Sequence, residues 1–221
     1  MSLALTALSK RIKLRCHRES HSDAEVLSMA KLPSEEDSKT TDEILQSYFA
    51  ALGKVAHAWN HLHEELGKVF CAVTNADLSL GMAIWHSLKS DRSQREILKG
   101  ALASAAQSED WNREHPGAAD GILDLLKEVD KLADRRNNAI HAPCDVIPGG
   151  DFQIVPITFF GNDKAERLRG KDILKEFDWY QRTANLLRRY AWDSRLALDA
   201  RMMTWPDKPK LPSVGQDYSV G

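Results

Sequence analysis

Residues 48–73 read YFAALGKVAHAWNHLHEELGKVFCAV. Apolar side chains recur at Tyr48, Leu52, Val55, Trp59, Leu62, Leu66, Val69 and Val73, at alternating steps of four and three. An α-helix turns every 3.6 residues, so this spacing draws one unbroken apolar stripe along its side. Thr40 and Glu43 stand at the spacing of a capping box, which predicts a helix of about nine turns beginning at Thr40. Asn75-Ala76-Asp77 should end it. A stripe of this length has to be buried against other elements.

Working outward, the same periodicity returns three times. Leu78–Gln107 carries Leu80, Ile84, Leu88, Ile97, Leu98 and Leu102, with an interruption expected at Ser90-Asp91 and a restart capped by Ser93 and Glu96. Residues from Trp111 to Gly117, with Pro116-Gly117, read as a loop. A third helix starts near Ala118, with Ile122, Leu125, Leu126, Val129, Leu132, Ala133 and Ile140 on its apolar face. Pro143 limits it, because the residue before a proline is pushed out of helical geometry. Then the period shortens: Gly149-Gly150 separates two β-prone runs, which predicts a small hairpin, with Pro156 confining its strand to an edge. A polar loop, 161–171, leads to a last helix with Ile173, Phe177, Tyr180, Ala184, Leu187, Ala191 and Leu198 on one side. The expected fold is mainly α, an antiparallel bundle of four or five helices with a β-hairpin inserted before the last helix. Its expected limits are 40–205, preceded by a weakly ordered basic and polar arm, 1–39, and followed by a disordered tail, 206–221.

The 221 residues suit one domain with tails. Lys and Arg number 30 and Asp and Glu 32, so bulk positive charge cannot drive binding to nucleic acid. No apolar run is long enough to span a bilayer. Cys16, Cys71 and Cys144 are odd in number and form no CxxC pair, which argues for a reducing, cytoplasmic setting. No Gly-rich phosphate loop, GxSxG or HExxH is present, so no cofactor or metal is expected.

The segment Asp134-Arg135-Arg136-Asn137-Asn138-Ala139-Ile140-His141-Ala142-Pro143 gathers arginines, amides and a histidine at the end of the third helix. Arginine grips phosphate oxygens with a fork of donors. Histidine exchanges a proton near neutrality. Asn137 and His141 are four apart and share a helix face, so the amide could fix the imidazole tautomer. Arg136 and His141 are five apart, about 140° around an ideal helix. They converge only if the helix frays or the arginine bends back. For stability alone, a helix can also end in basic residues that offset its dipole and in asparagine.

This segment resembles the signature of the HEPN superfamily, an arginine and a histidine separated by four to six residues. Arg136-Asn137-x-x-x-His141 fits with four between, and Arg135 to His141 with five. The resemblance implies a helical bundle, a homodimer that brings two motifs into one cleft, and for several members metal-independent endoribonuclease activity. It implies His141 as acid/base, Arg136 as stabiliser of the phosphate transition state and Asn137 as their support. RNA would be contacted by Arg135, Asn138, Arg188 and Arg189. A toxin-like role, with an antitoxin or other protein partner, would follow from the resemblance alone. The competing reading is a non-catalytic helical dimer or adaptor, or a module that binds an anionic ligand.

Other candidates have plainer readings. His57, His61 and Glu64 have metal-ligand spacing but lie opposite the apolar stripe, as a solvated face would. Glu64 or Glu65 could support the motif from the first helix. Cys144, three residues from His141, reads as an inert thiol. Trp59 belongs to the stripe, and Trp179 and Trp192 should pack at the edges. Residues 1–18 hold five basic side chains (Lys10, Arg11, Lys13, Arg15, Arg18) and no acidic ones, leaving 25 basic against 32 acidic in the remainder. Within that acidic body, Trp179–Trp205 is locally +3 through Arg182, Arg188, Arg189, Arg195 and Arg201 against Asp193 and Asp199. Any RNA should therefore be confined to this helix, the motif turn and the basic arm.

Overall fold

Each apolar stripe becomes a helix in the computed structural model, which describes residues 35–147, 153–158, 161–200 and 204–213. The elements are α1 (Glu35–Thr74), α2 (Leu78–Ser87), α3 (Asp91–Ala105), α4 (Glu109–Glu114), α5 (Ala118–His141), β1 (Cys144–Ile147), β2 (Gln153–Pro156), α6 (Asp163–Glu166) and α7 (Ile173–Ala200). The chain divides into two units, Met1–Thr40 and Thr41–Gly221. All elements belong to the second except the first turns of α1. The basic cluster Lys10–Arg18 lies outside the described residues. None of the described helices is long and apolar enough to cross a membrane.

On α1, Val55, Trp59, Leu62, Leu66, Val69 and Val73 are buried as the stripe requires, while Tyr48 and Leu52 are half-buried. Ala58, His63, Glu65, Phe70 and Cys71 are buried too, so the covered face is wider than the stripe. The helix begins before the expected capping box. Thr40 is already helical, whereas an N-cap needs extended backbone. No glycine or proline stands between Glu35 and Gly53 to stop the helix earlier.

Contacts between named pairs give the helix directions. Trp59 meets Asp91 and His63 meets Gln94, so α3 runs parallel to α1. Arg95 meets Asp130 and Arg136 faces Asp91, so α5 runs against α3. Tyr48 touches Phe177 and Lys68 lies over Trp192, so α7 runs with α1. The main helix–helix contact is α5 with α7, and the apolar faces expected for both are buried, apart from half-buried Ile140. This is a helical bundle with a hairpin before the last helix, as the periodicity implied.

Several local expectations are corrected. Ser90, not Ser93, caps α3: its Oγ accepts from the Ser93 backbone N–H at 3.1 Å. Leu80 and Ile84 are exposed, and Gly81 and Trp85, one position further round, face inward. Gly81 is held there by Cys71, whose sulfur occupies the space a Cβ would need. The stretch read as a loop before Gly117 contains α4, capped by Ser108, and the loop before the last helix contains α6, capped by Asn162. In the antiparallel hairpin Cys144 pairs with Pro156 and Ile147 with Gln153. Its Gly-Gly turn lies outside the described residues.

The largest departure is at the C-terminus. Residues 204–213, expected mostly as disordered tail, form an extended strap along α5 and α7. Trp205 sits over Gly121 and donates from Nε1 to Tyr190 Oη at 3.2 Å. Lys208 Nζ donates to Asp124 Oδ2 at 3.1 Å, and Trp179 Nε1 donates to the Pro212 carbonyl at 2.8 Å. Residues 214–221 lie outside the described residues.

Gly121 is what seats the strap, because a Cβ there would overlap the Trp205 indole. Gly→Ala inside a helix otherwise stabilises by about 1 kcal/mol. Gly121→Ala should instead lower stability by roughly 1–3 kcal/mol, the cost of overpacking, and expose the strap to proteolysis. A variant more stable than wild type, with an unchanged cleavage pattern, would mean that the strap is not anchored there.

Candidate functional site

The motif occupies the last two turns of α5. Pro143 forces Ala142 out of helical geometry, and Ala142 adopts φ −81°, ψ 122° while its N–H is satisfied by the Asn138 carbonyl at 3.1 Å. The helix is therefore regular through His141 and stops abruptly. Arg136 and His141 stay about 140° apart, and the fraying that would turn them toward each other is not found. His141 is exposed.

Consecutive helical residues diverge by about 100°, so the two arginines reach different neighbours. Arg135 turns toward α7, its guanidinium 5.0 Å from the centre of the Trp179 ring. Arg136 turns inward toward α1 and α3, 5.1 Å from the centre of the Trp59 ring. Its Nη1 donates to Asn137 Oδ1 at 2.9 Å and lies 3.9 Å from Asp91 Oδ2. Its Nε is buried without a hydrogen-bond partner. Burial lowers the Arg136 pKa and Asp91 opposes the shift. The guanidinium nevertheless stays charged. It is thus held by an aromatic face and an amide, with a carboxylate near but not clasped.

A polar network stands behind Arg136. Trp59 Nε1 donates to Asp91 Oδ2 at 2.6 Å. The His63 ring packs 4.7 Å from that of Trp59, with Nδ1 3.0 Å from Gln94 Oε1 and Nε2 3.5 Å from Arg95 Nη1. An amide oxygen only accepts and a guanidinium only donates, so this pairing fixes the neutral tautomer with the proton on Nδ1. Arg95, 5% exposed, donates from Nε to Asp130 Oδ1 at 2.6 Å, and Lys99 holds the other oxygen at 3.0 Å. Burial works to raise the Asp130 carboxyl, but Lys99 and Arg95 outweigh it and hold the pKa low.

Of the candidate residues, the fold joins Arg136 to Asn137 and keeps Arg135 and Asn138 on the same helix end. Arg188 and Arg189 are not brought to the motif. They sit about 14 Å further along α7 than Trp179, where both are exposed and line a cavity of about 210 Å³ with Glu65 and Trp192. The local +3 of α7 is largely spent within the helix: Arg182 pairs with Asp178, Arg189 with Asp193 and Arg195 with Asp199. The Arg201 side chain lies outside the described residues.

His57 and His61 are exposed and stack on each other at 4.3 Å, and Glu64 pairs with His86 at 3.3 Å. No group of three or more metal-ligating side chains occurs among the described residues. Glu65 binds Lys68 and faces α7, so it does not support the motif; Asp91 is the acid beside Arg136. Burial pushes the Cys144 thiol up, away from thiolate chemistry. Asp91, Trp59 and His63 are the site residues that sequence spacing missed. Asp91 carried a usable signal, an acid in the first turn of a capped helix.

The His63 network gives the fold a pH dependence. Burial lowers the imidazole pKa below 6.5; Arg95 and Arg136 add to this, while Asp91 and Gln94 oppose it. The folded protein thus prefers neutral His63. That contribution is complete above the unfolded pKa and is lost as pH falls toward the depressed folded value. Urea stability should fall as pH drops below about 6.5, the unfolded histidine value, and His63→Gln should flatten this segment of the profile. An equal slope in wild type and variant would remove His63 as its source.

Comparison of the chain with family models, with curated proteins and with solved structures yields no match.

Proposed function

We propose that this protein is a HEPN-like, metal-independent endoribonuclease that acts as a homodimer. The observation that carries the reading is the placement of Arg136. It is a fixed, partly buried cation with no tight carboxylate pair, one and a half turns before an exposed histidine at the end of the same helix. A preorganised cation of this kind stabilises charge that develops on a phosphoryl group.

In the reaction, His141 accepts the proton of an RNA 2′-hydroxyl. The oxygen attacks the adjacent phosphorus, the O2′–P bond forms and the P–O5′ bond breaks. The leaving O5′ takes a proton from His141 of the second copy. The products are a 2′,3′-cyclic phosphate and a 5′-hydroxyl end. Arg136 binds the non-bridging oxygens, with Asn137 holding its fork in place. Two copies are needed because Arg136 and His141 of one helix diverge. Arg135 and Asn138 bind the backbone near the cut. Arg188 and Arg189 are too far along α7 to reach the same phosphate and would meet only a longer strand.

A second reading is favoured by the partners of Arg136. Trp59, Asp91 and Asn137 are contacts that would also brace three helices in a non-catalytic adaptor. The two readings part in one experiment, RNA cleavage in the presence of a chelator. His141→Ala should lose about 10²–10⁴-fold in rate, with helix content and dimerisation unchanged because the side chain is exposed. Full activity in that variant overturns the mechanism. A wild-type protein that forms no dimer and cuts no RNA leaves the adaptor reading.

A further inference from the structure

Where the strap ends, it roofs a cavity of about 280 Å³ between α5 and α7. Leu132, Leu211 and Pro212 form its apolar walls, and Lys131 and Arg135 bring two cations to it, with Glu128 paired to Lys131. Thr183 also lines it. This residue is only 2% exposed and its Oγ1 has no hydrogen-bond partner. A buried hydroxyl with nothing to bind is unfavourable, and native proteins seldom leave one so. The roof is fixed by the bond from Trp179 Nε1 to the Pro212 carbonyl, and the same Trp179 ring carries the Arg135 guanidinium. Strap, cavity and motif therefore share one side chain.

We infer that this cavity is a nucleotide subsite, taking one nucleotide of single-stranded RNA on the α7 side of the motif. The inference rests on the nuclease reading above. A volume near the lower end of small-ligand pockets, about 300 Å³, admits a single nucleotide and excludes a duplex. Arg135 is exposed, and its described contact is an aromatic face rather than a carboxylate, so its fork is free to take a phosphate oxygen. The nucleoside lies against Leu132, Leu211 and Pro212. The Thr183 hydroxyl bonds a polar atom of its base or ribose. Arg135 precedes Arg136 by one residue but faces α7 rather than α1 and α3, so a phosphate held at this subsite is a different one from that at which the chain is cut.

The test is binding of a short single-stranded RNA to His141→Ala protein, which removes turnover, followed by cleavage kinetics in the wild-type background. Thr183→Val keeps the side-chain volume and deletes the hydroxyl; it should weaken binding about threefold to tenfold, the worth of one hydrogen bond. Arg135→Gln, at an exposed position where folding is not at risk, should weaken binding and reduce the salt dependence by about one phosphate contact. In the wild-type background both changes should raise KM while leaving kcat within about twofold. Wild-type affinity and KM in both variants overturn the subsite, even where RNA is cleaved. Weakened binding in both, with no cleavage by wild type, upholds the subsite and overturns the nuclease reading. Absence of RNA binding overturns both.

Discussion

Burial of the α1 face is the constraint to which the remainder of the structure answers. The 4–3 stripe from Tyr48 to Val73 needs a cover along its length, and α2, α3 and α7 supply it in turn. Because the buried face also takes in His63 and Glu65, the cover cannot be wholly apolar. A buried polar group that lacks a partner forfeits its hydration without return. His63 draws Gln94 and Arg95 to it, Arg95 draws Asp130, and Lys99 completes the pair. That chain of partners fixes α3 against both α1 and α5, in one register.

The motif end of α5 inherits its geometry from this register. Asp91 opens α3 beside Trp59, and Arg136 arrives over the same indole from the opposite helix. One residue earlier, Arg135 is turned by the helical screw to the α7 side and to Trp179. Two adjacent arginines therefore stand in different surroundings. One is half-buried in a polar network, and the other is exposed beside the strap. Pro143 ends the helix immediately after His141, leaving the imidazole at a sharply defined terminus.

Long-period features were legible in the sequence and short-range exceptions were not. The stripes of α1, α5 and α7 lie where the 3.6-residue period places them, because each repeats over several turns and a single misfit does not shift its phase. In α2 the pattern spans only two turns. Leu80 and Ile84 suggested a face, yet the close approach of Gly81 to Cys71 turned the helix so that Trp85 is buried instead. Composition also misled at the C-terminus. Proline and lysine between Trp205 and Ser213 suggest a solvated tail, but two indoles and one lysine tie that segment to α5 and α7. Nothing local in 204–213 signals this, since the notch at Gly121 is 84 residues away in sequence from Trp205.

By itself the sequence determined the class of fold, the order of the long helices and the hairpin, and that α5 cannot continue past Pro143. Periodicity and proline act through local backbone geometry, which needs no knowledge of what lies across the core. Only the tertiary structure decided which way each arginine faces, which acid stands by Arg136, and that Arg188 and Arg189 lie away from the motif. Those outcomes depend on which helix packs against which, and at what height. That choice is made by the shape of buried side chains and by the need of His63, Arg95 and Asp130 for partners, none of which is written into any one segment.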